Sequence, residues 1–323
     1  MPSLLRPLAL LAFALPALVR AQTPAAETAF TLSDRAFAAE GLAHDAATGS
    51  FFVGSVHLGR IERVDAAGVA APFATAPGNW SVLGMTVDTA RGALWAATAN
   101  MPQSRDADAT LRGWTSLVRF NLTTGAVERT YEQEGTFGDV AVGPDGSVYV
   151  TDGMRGTLHV LDAAGRAAAD TLRLLLPRGT LHSTQGLAFG HDPYRLFVAD
   201  YRYGIVAVDT RSGTTTIVPM PAGLDRRGID GLTYADGALY AVQNGVRPYR
   251  VWRFRLSNDE TRVTAADVLA SADGDARFDE PTLGVVVGPW LYVMAVSGWG
   301  HFSDAGTLDT AAAPPPLVVR VAR

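Results

Sequence analysis

Glu40, Gln185 and Asp230 each stand directly before a glycine that opens a short apolar run: Glu40-Gly41-Leu42-Ala43, Gln185-Gly186-Leu187-Ala188 and Asp230-Gly231-Leu232-Thr233. The corresponding place elsewhere holds Leu83 before Gly84, Gly138 with Asp139 behind it, and Glu280 or Leu283 ahead of Gly284. If these runs line one channel, carboxylates and a carboxamide from separate segments share a funnel. Like charges that close raise one another's pKa, and an unpaired buried carboxylate costs several kcal/mol. The chain contains no lysine, and no arginine stands next to these positions in sequence. A hard divalent cation on oxygen ligands is the simplest remedy.

A second set of polar residues ends the strands that follow these runs: Ser55 and His57, Asn100, Asp152, Asp200 with Tyr201, Gln243 with Asn244, and Ser297 with Trp299 and His301. His57, Asn100, Tyr201, Asn244 and Trp299 are the candidates for lining a substrate pocket. His57 and His301 read as rim residues rather than metal ligands. Asp152 and Asp200 read as strand-end turn residues, and Asp139 reads equally as a channel ligand or a turn residue. Other chemistries are excluded. With no Cys and no Lys there is no thiolate, no Schiff base and no lysine base. Neither a Walker-type phosphate loop nor a Gly-x-Ser-x-Gly nucleophile elbow occurs.

The elements that must position these residues repeat six times. Each apolar run is followed within about ten residues by a second strand with Leu or an aromatic near its start, as in Gly84-Met85-Thr86-Val87 with Leu94-Trp95-Ala96 and Gly284-Val285-Val286-Val287 with Leu291-Tyr292-Val293. Third strands such as Leu158 to Asp162, and fourth strands such as Thr214 to Pro219, complete a unit. A period of about 40–55 residues with about four short strands predicts an all-β, six-bladed β-propeller. The last blade has no fourth strand of its own, and Thr28 to Leu32 has no local partner. Their pairing would close the ring and remove its exposed edges. Ala97 to Thr115 and Val296 to Pro316 are long connections, both on the face where inner strands begin.

Met1 to Ala21 has the form of a secretory leader: one positive charge, an apolar run from Leu8 to Val19 too short to span a bilayer, and small residues before Ala21. Cleavage after Ala21 would leave residues 22–323 as a single propeller domain, periplasmic or secreted and soluble. Removing Arg6 and Arg20 moves the formal charge from −5 to −7. A mildly acidic chain without a basic run argues against nucleic acid or an anionic membrane as partner. A monomer acting on a small molecule is expected.

Glu40-Gly41-Leu42, Gln185 to Phe189 followed by Leu196 to Asp200, and Asp230-Gly231-Leu232 resemble the SMP-30/gluconolactonase/LRE-like six-bladed propellers, in order and spacing across the whole mature chain. That resemblance implies a divalent cation held by Glu40, Gln185 and Asp230, with Asp230 also the general base. Calcium stands foremost, with zinc, magnesium and manganese as alternatives. Two departures stand out: Gln185 occupies a family Asn position, and Gly138 precedes Asp139 where the family has a substrate-contacting Asn. The resemblance thus implies a hydrolase acting on a lactone or ester. The competing expectation is a non-catalytic propeller that binds a small molecule or a protein partner on the same face.

Overall fold

In the computed structural model, residues 26–163 and 171–323 are described. The leader and its cleavage point fall outside the described residues. The chain forms six four-stranded antiparallel sheets, the expected all-β propeller. The inner strands are Ala39–Asp45, Ser81–Asp88, Phe137–Val142, Thr184–Phe189, Ile229–Ala235 and Gly284–Val287, for blades one to six. Each touches the inner strand of the next blade, and that of blade six touches blade one, so the ring is closed.

Closure uses the N-terminal strand. Glu27–Thr31 pairs antiparallel with Leu317–Ala322, the third strand of blade six. Phe30 and Leu32 are thereby buried against Phe51, Met294 and Val318, between blades six and one. Full burial of one such side chain stabilises by about 1.5–3 kcal/mol.

The core is divided among the interfaces between blades. Phe51 packs toward blade six and its neighbour Phe52 toward blade two. Leu196 and Val198 face blade three, whereas Phe197 and Ala199 face blade five. Both faces of each second strand are therefore buried. This is why the second strands read as continuous apolar runs rather than as alternating ones.

The long connections are shorter than expected. The blade-two strands extend to Ala99 and resume at Trp114, which leaves residues 100–113 as loop. The blade-six loop spans residues 297–316.

Candidate functional site

One irregularity repeats through the first five blades. Pairing of the inner strand with the second strand skips two residues between Ala39 and Leu42, Val82 and Met85, Phe137 and Val140, Thr184 and Leu187, and Ile229 and Leu232. The skipped dipeptides are Glu40-Gly41, Leu83-Gly84, Gly138-Asp139, Gln185-Gly186 and Asp230-Gly231. A bulge frees residues from the ladder and re-aims their side chains. Here Glu40, Leu83, Asp139, Gln185 and Asp230 all line one cavity of about 230 Å³, with Met101, Ser183, Leu283 and Trp299 among its other walls. Two of the glycines are required by close approach. A Cβ on Gly84 would strike the Asp139 carboxylate, and one on Gly186 would meet the Asp230 carbonyl oxygen. In blade three the order of the dipeptide is reversed. Asp139 therefore sits one residue further along, and it lines both this cavity and the axial channel beneath, beside Leu42, Leu187 and Leu232.

Among the described residues, no arginine, lysine or histidine lines the cavity. Asp230 is 6% exposed and Asp139 9%. Burial, and next the charge of Asp230, push the Glu40 carboxyl well above the usual range, against a hydrogen bond from Trp299. Asp230 is raised too, by burial first and by Glu280, with the Asn244 hydrogen bond opposing. Asp139 is pushed up to about 7 by burial, against two backbone hydrogen bonds.

The carboxylates are held differently. Trp299 Nε1 donates to Glu40 Oε2. Asn244 Nδ2 donates to Asp230 Oδ2 at 2.5 Å and to the Pro281 carbonyl at 2.9 Å. The Tyr201 hydroxyl donates to Asn244 Oδ1, which orients that amide. Burial and nearby acids keep the Tyr201 phenol protonated and able to donate. Asp139 is committed on both oxygens, to the amides of Val140 at 2.9 Å and Leu187 at 3.3 Å. It faces the cavity and also ties blade three to blade four. Gln185 Nε2 donates to Ser183 Oγ at 3.3 Å. This leaves Glu40 Oε1, Asp230 Oδ1 and Gln185 Oε1 without hydrogen-bond partners among the described residues, and none of the three is sealed off.

His57 and Asn100 stand apart from this cavity. His57 Nδ1 donates to the Gln103 carbonyl at 2.8 Å. Asn100, 4% exposed, donates to the Asp108 carbonyl at 2.7 Å. Both brace the 100–113 loop from within. That loop meets the blade-six loop: Phe302 packs on His57 and Trp299, and Gly306 lies against Pro102. Through Met101 and Trp299 the joined loops wall the cavity on the side of blades one, two and six.

On the opposite side, sequence reasoning named Gln185 and Tyr201 but missed the two arginines. His182, Ser183, Gln185, Tyr201, Arg202 and Arg227 line an open recess of about 480 Å³. The signal was present in Asp200-Tyr201-Arg202, where a strand-end acid precedes a basic residue. Arg202 follows the end of a second strand, and Arg227 stands two residues before the inner strand of blade five, so neither is next to the residues that precede the glycines. Glu280 adds a further negative charge near the site. It has a left-handed backbone (φ 52°) and a carboxyl raised by burial.

Among the described residues, no group of three or more His, Cys, Asp or Glu side chains is arranged to hold a metal ion. Glu40, Asp230 and Gln185 each bring to the cavity lining a side-chain oxygen without a hydrogen-bond partner among the described residues.

No protein-family model matches the sequence, and no curated protein matches it. Solved structures do match. The PQQ-bound aldose sugar dehydrogenase of Streptomyces coelicolor superposes with a TM-score of 0.61 at 16% identity, covering 93% of this chain and 98% of that one. A gluconolactonase from Xanthomonas campestris gives 0.61 at 16% identity, over 90% and 88%. Regucalcin from Agrobacterium tumefaciens, a calcium-binding protein, gives 0.59 at 14%, over 91% and 93%. The architecture is thus the six-bladed propeller found in gluconolactonase, regucalcin and sugar dehydrogenase alike.

Proposed function

We propose that this chain is a divergent SMP-30/gluconolactonase-type hydrolase, acting outside the cytoplasm, that opens a lactone or ester at the channel mouth with the aid of a divalent cation. One observation carries the reading. Two carboxylates from blades one and five, half-buried Glu40 and buried Asp230, each leave one oxygen unbonded at a cavity that no cationic side chain lines among the described residues. With Gln185 Oε1 they form a set of three hard oxygen donors, two of them charged, which suits calcium or another hard divalent ion. Gln185 is longer than the Asn of the family, but it rises from the same bulge, so its carboxamide reaches the same cavity.

Such an ion polarises a carbonyl and stabilises the developing oxyanion. The chain's own residues supply the rest. Asp230 accepts a proton as the oxygen of water bonds to the carbonyl carbon. The ester C–O bond then breaks, and the proton passes to the leaving alkoxide. Burial lifts Asp230 toward neutrality, where a general base works best. Asn244, fixed by Tyr201, holds the Asp230 carboxylate in place. Met101, Leu83 and Trp299 limit the access of bulk water.

The test is calorimetric titration of the chelator-treated protein with calcium, magnesium, manganese and zinc, followed by a panel of sugar lactones, simple lactones and aryl esters. One binding site that is lost in Asp230→Ala, together with turnover of one substrate class, is expected. No heat with any ion and no turnover would remove the hydrolase and leave a binding propeller.

A further inference from the structure

Asp200 ends the second strand of blade four and is fully buried. Its carboxylate accepts four backbone N–H groups. His182 and Ser183 donate to Oδ2 at 2.7 and 3.1 Å, and Arg202 and Tyr203 donate to Oδ1, both at 2.9 Å. Two separate stretches of chain are locked side by side in this way. They present His182, Ser183 and Arg202 to the open recess. Ser183 and Gln185 also line the carboxylate cavity, so the recess and the cavity share a wall. Asp152, at the equivalent place in blade three, accepts the Arg155 N–H on Oδ1 at 3.0 Å, and its Oδ2 has no hydrogen-bond partner among the described residues.

The two arginines of the recess differ. Arg227 is engaged by Asp225 through Nε at 2.9 Å and Nη2 at 2.7 Å. The Arg202 guanidinium is exposed, lies 6.0 Å from the centroid of the Tyr203 ring, and forms no ion pair among the described residues. The mouth is therefore polarised, with an uncompensated positive charge on a rigid turn outside and three carboxylates inside. An anionic group finds a free cationic partner at Arg202 and none among the described side chains that line the cavity. A molecule with an anionic end and a neutral carbonyl end is then favoured with its anionic end outward. The planar guanidinium fork matches a carboxylate, which it can grip with two parallel hydrogen bonds.

We propose that the substrate bears a carboxylate, which Arg202 holds in the outer recess while the lactone or ester carbonyl lies between Gln185 and Asp230. The carbonyl half rests on the hydrolase reading; the carboxylate half rests on the recess alone.

The experiment is calorimetry of the full chain with two matched pairs, glucuronate against glucose and monomethyl glutarate against dimethyl glutarate, with glucose 6-phosphate as a further arm. In at least one pair the carboxylate member should bind about tenfold tighter. The gap should shrink as salt is added, close in Arg202→Gln, and reopen in part in Arg202→Lys. Arg227→Gln should leave most of it. Because Arg202 is exposed, thermal midpoints should not move. Equal binding within both pairs, a preference that survives Arg202→Gln, tighter binding of the phosphate than of glucuronate, or no binding of any probe would each overturn the proposal. Arg202-dependent carboxylate binding without hydrolysis of any lactone or ester would sink the hydrolase reading alone. Hydrolysis of a carboxylate-bearing ester with the same KM in wild type and Arg202→Gln would sink this one alone.

Discussion

The two sides of the channel mouth hold their carboxylates by different means. On the side of blades six, one and two, Glu40 is held by the indole of Trp299, which stands on a loop of 20 residues (297–316). The surrounding wall is largely apolar, with Met101 and Trp299 on the cavity and Phe302 behind them. On the side of blades four and five, Asp230 is held by Asn244, just past a strand end, and Asn244 is itself fixed by Tyr201 and the Pro281 carbonyl. The wall there is polar and open. A loop-borne donor can leave its acceptor when the loop moves, whereas a donor anchored at a strand end cannot. Asp230 therefore has the fixed environment that a base needs, and the environment of Glu40 depends on one loop.

The harshest way to break the contrast is Asp230→Asn. General-base catalysis contributes about 10²–10⁴-fold, so kcat should fall about a thousandfold while substrate affinity changes little. Removing a buried acid that repels Glu40 and Glu280 should leave the thermal midpoint at pH 8 unchanged or higher. Retained kcat would show that the fixed side does not carry the base.

The architecture was legible because every blade repeats the same strand pair, and because the apolar second strands serve two interfaces at once. Ring closure could be read from a missing fourth strand in blade six and an orphan strand at the N-terminus. The meeting of Glu40, Gln185 and Asp230 was legible from their shared place before a glycine, although the bulge that turns them inward was not. A bulge is a property of pairing between two strands, and neither strand shows it alone. The places of His57 and Asn100 were not legible either. Polar residues at strand ends read alike whether they face a ligand or brace their own loop, and the loop's carbonyl groups decided between the two. The recess was hidden for a related reason: it is assembled by the Asp200 cradle from segments that are distant in sequence.

Asp139 lies beneath both walls and provides an internal reference for the two sides. Its carboxyl is raised from 3.8 to about 7 by burial. A raised carboxyl pKa means that the folded state binds the proton more tightly than the unfolded chain does. The stability this contributes is complete below pH 3.8 and is lost as pH rises through 7. In chelator-treated protein the loss should amount to about 2–4 kcal/mol across that window. Asp139→Asn cannot ionise. Its thermal midpoint relative to wild type should therefore rise by several degrees between pH 5 and pH 8. Taking the difference cancels the contributions of Asp209, Asp225 and Asp259, whose carboxyls are held down at about 2 and which destabilise only in acid. A difference that stays flat with pH would mean that Asp139 is ionised in the fold and that the floor of the site is wetter than its burial implies.

The gentlest change sharpens the contrast most, because it touches one side only. Trp299→Phe keeps the aromatic packing on Phe302 but removes the N–H that lowers the Glu40 pKa. The Glu40 carboxyl should then rise further, so that protons compete more strongly with a cation for it. A bound cation needs the carboxylate form, so cation affinity at pH 7 should weaken about tenfold for each unit of rise. The deficit should vanish as pH is raised and Glu40 ionises in both proteins. Asp230 keeps Asn244 and Tyr201, so the pH profile of kcat at saturating cation should not move. A deficit that is the same at every pH would instead mean that Trp299 acts by shape alone, and the loop side would then differ from the strand side only in packing.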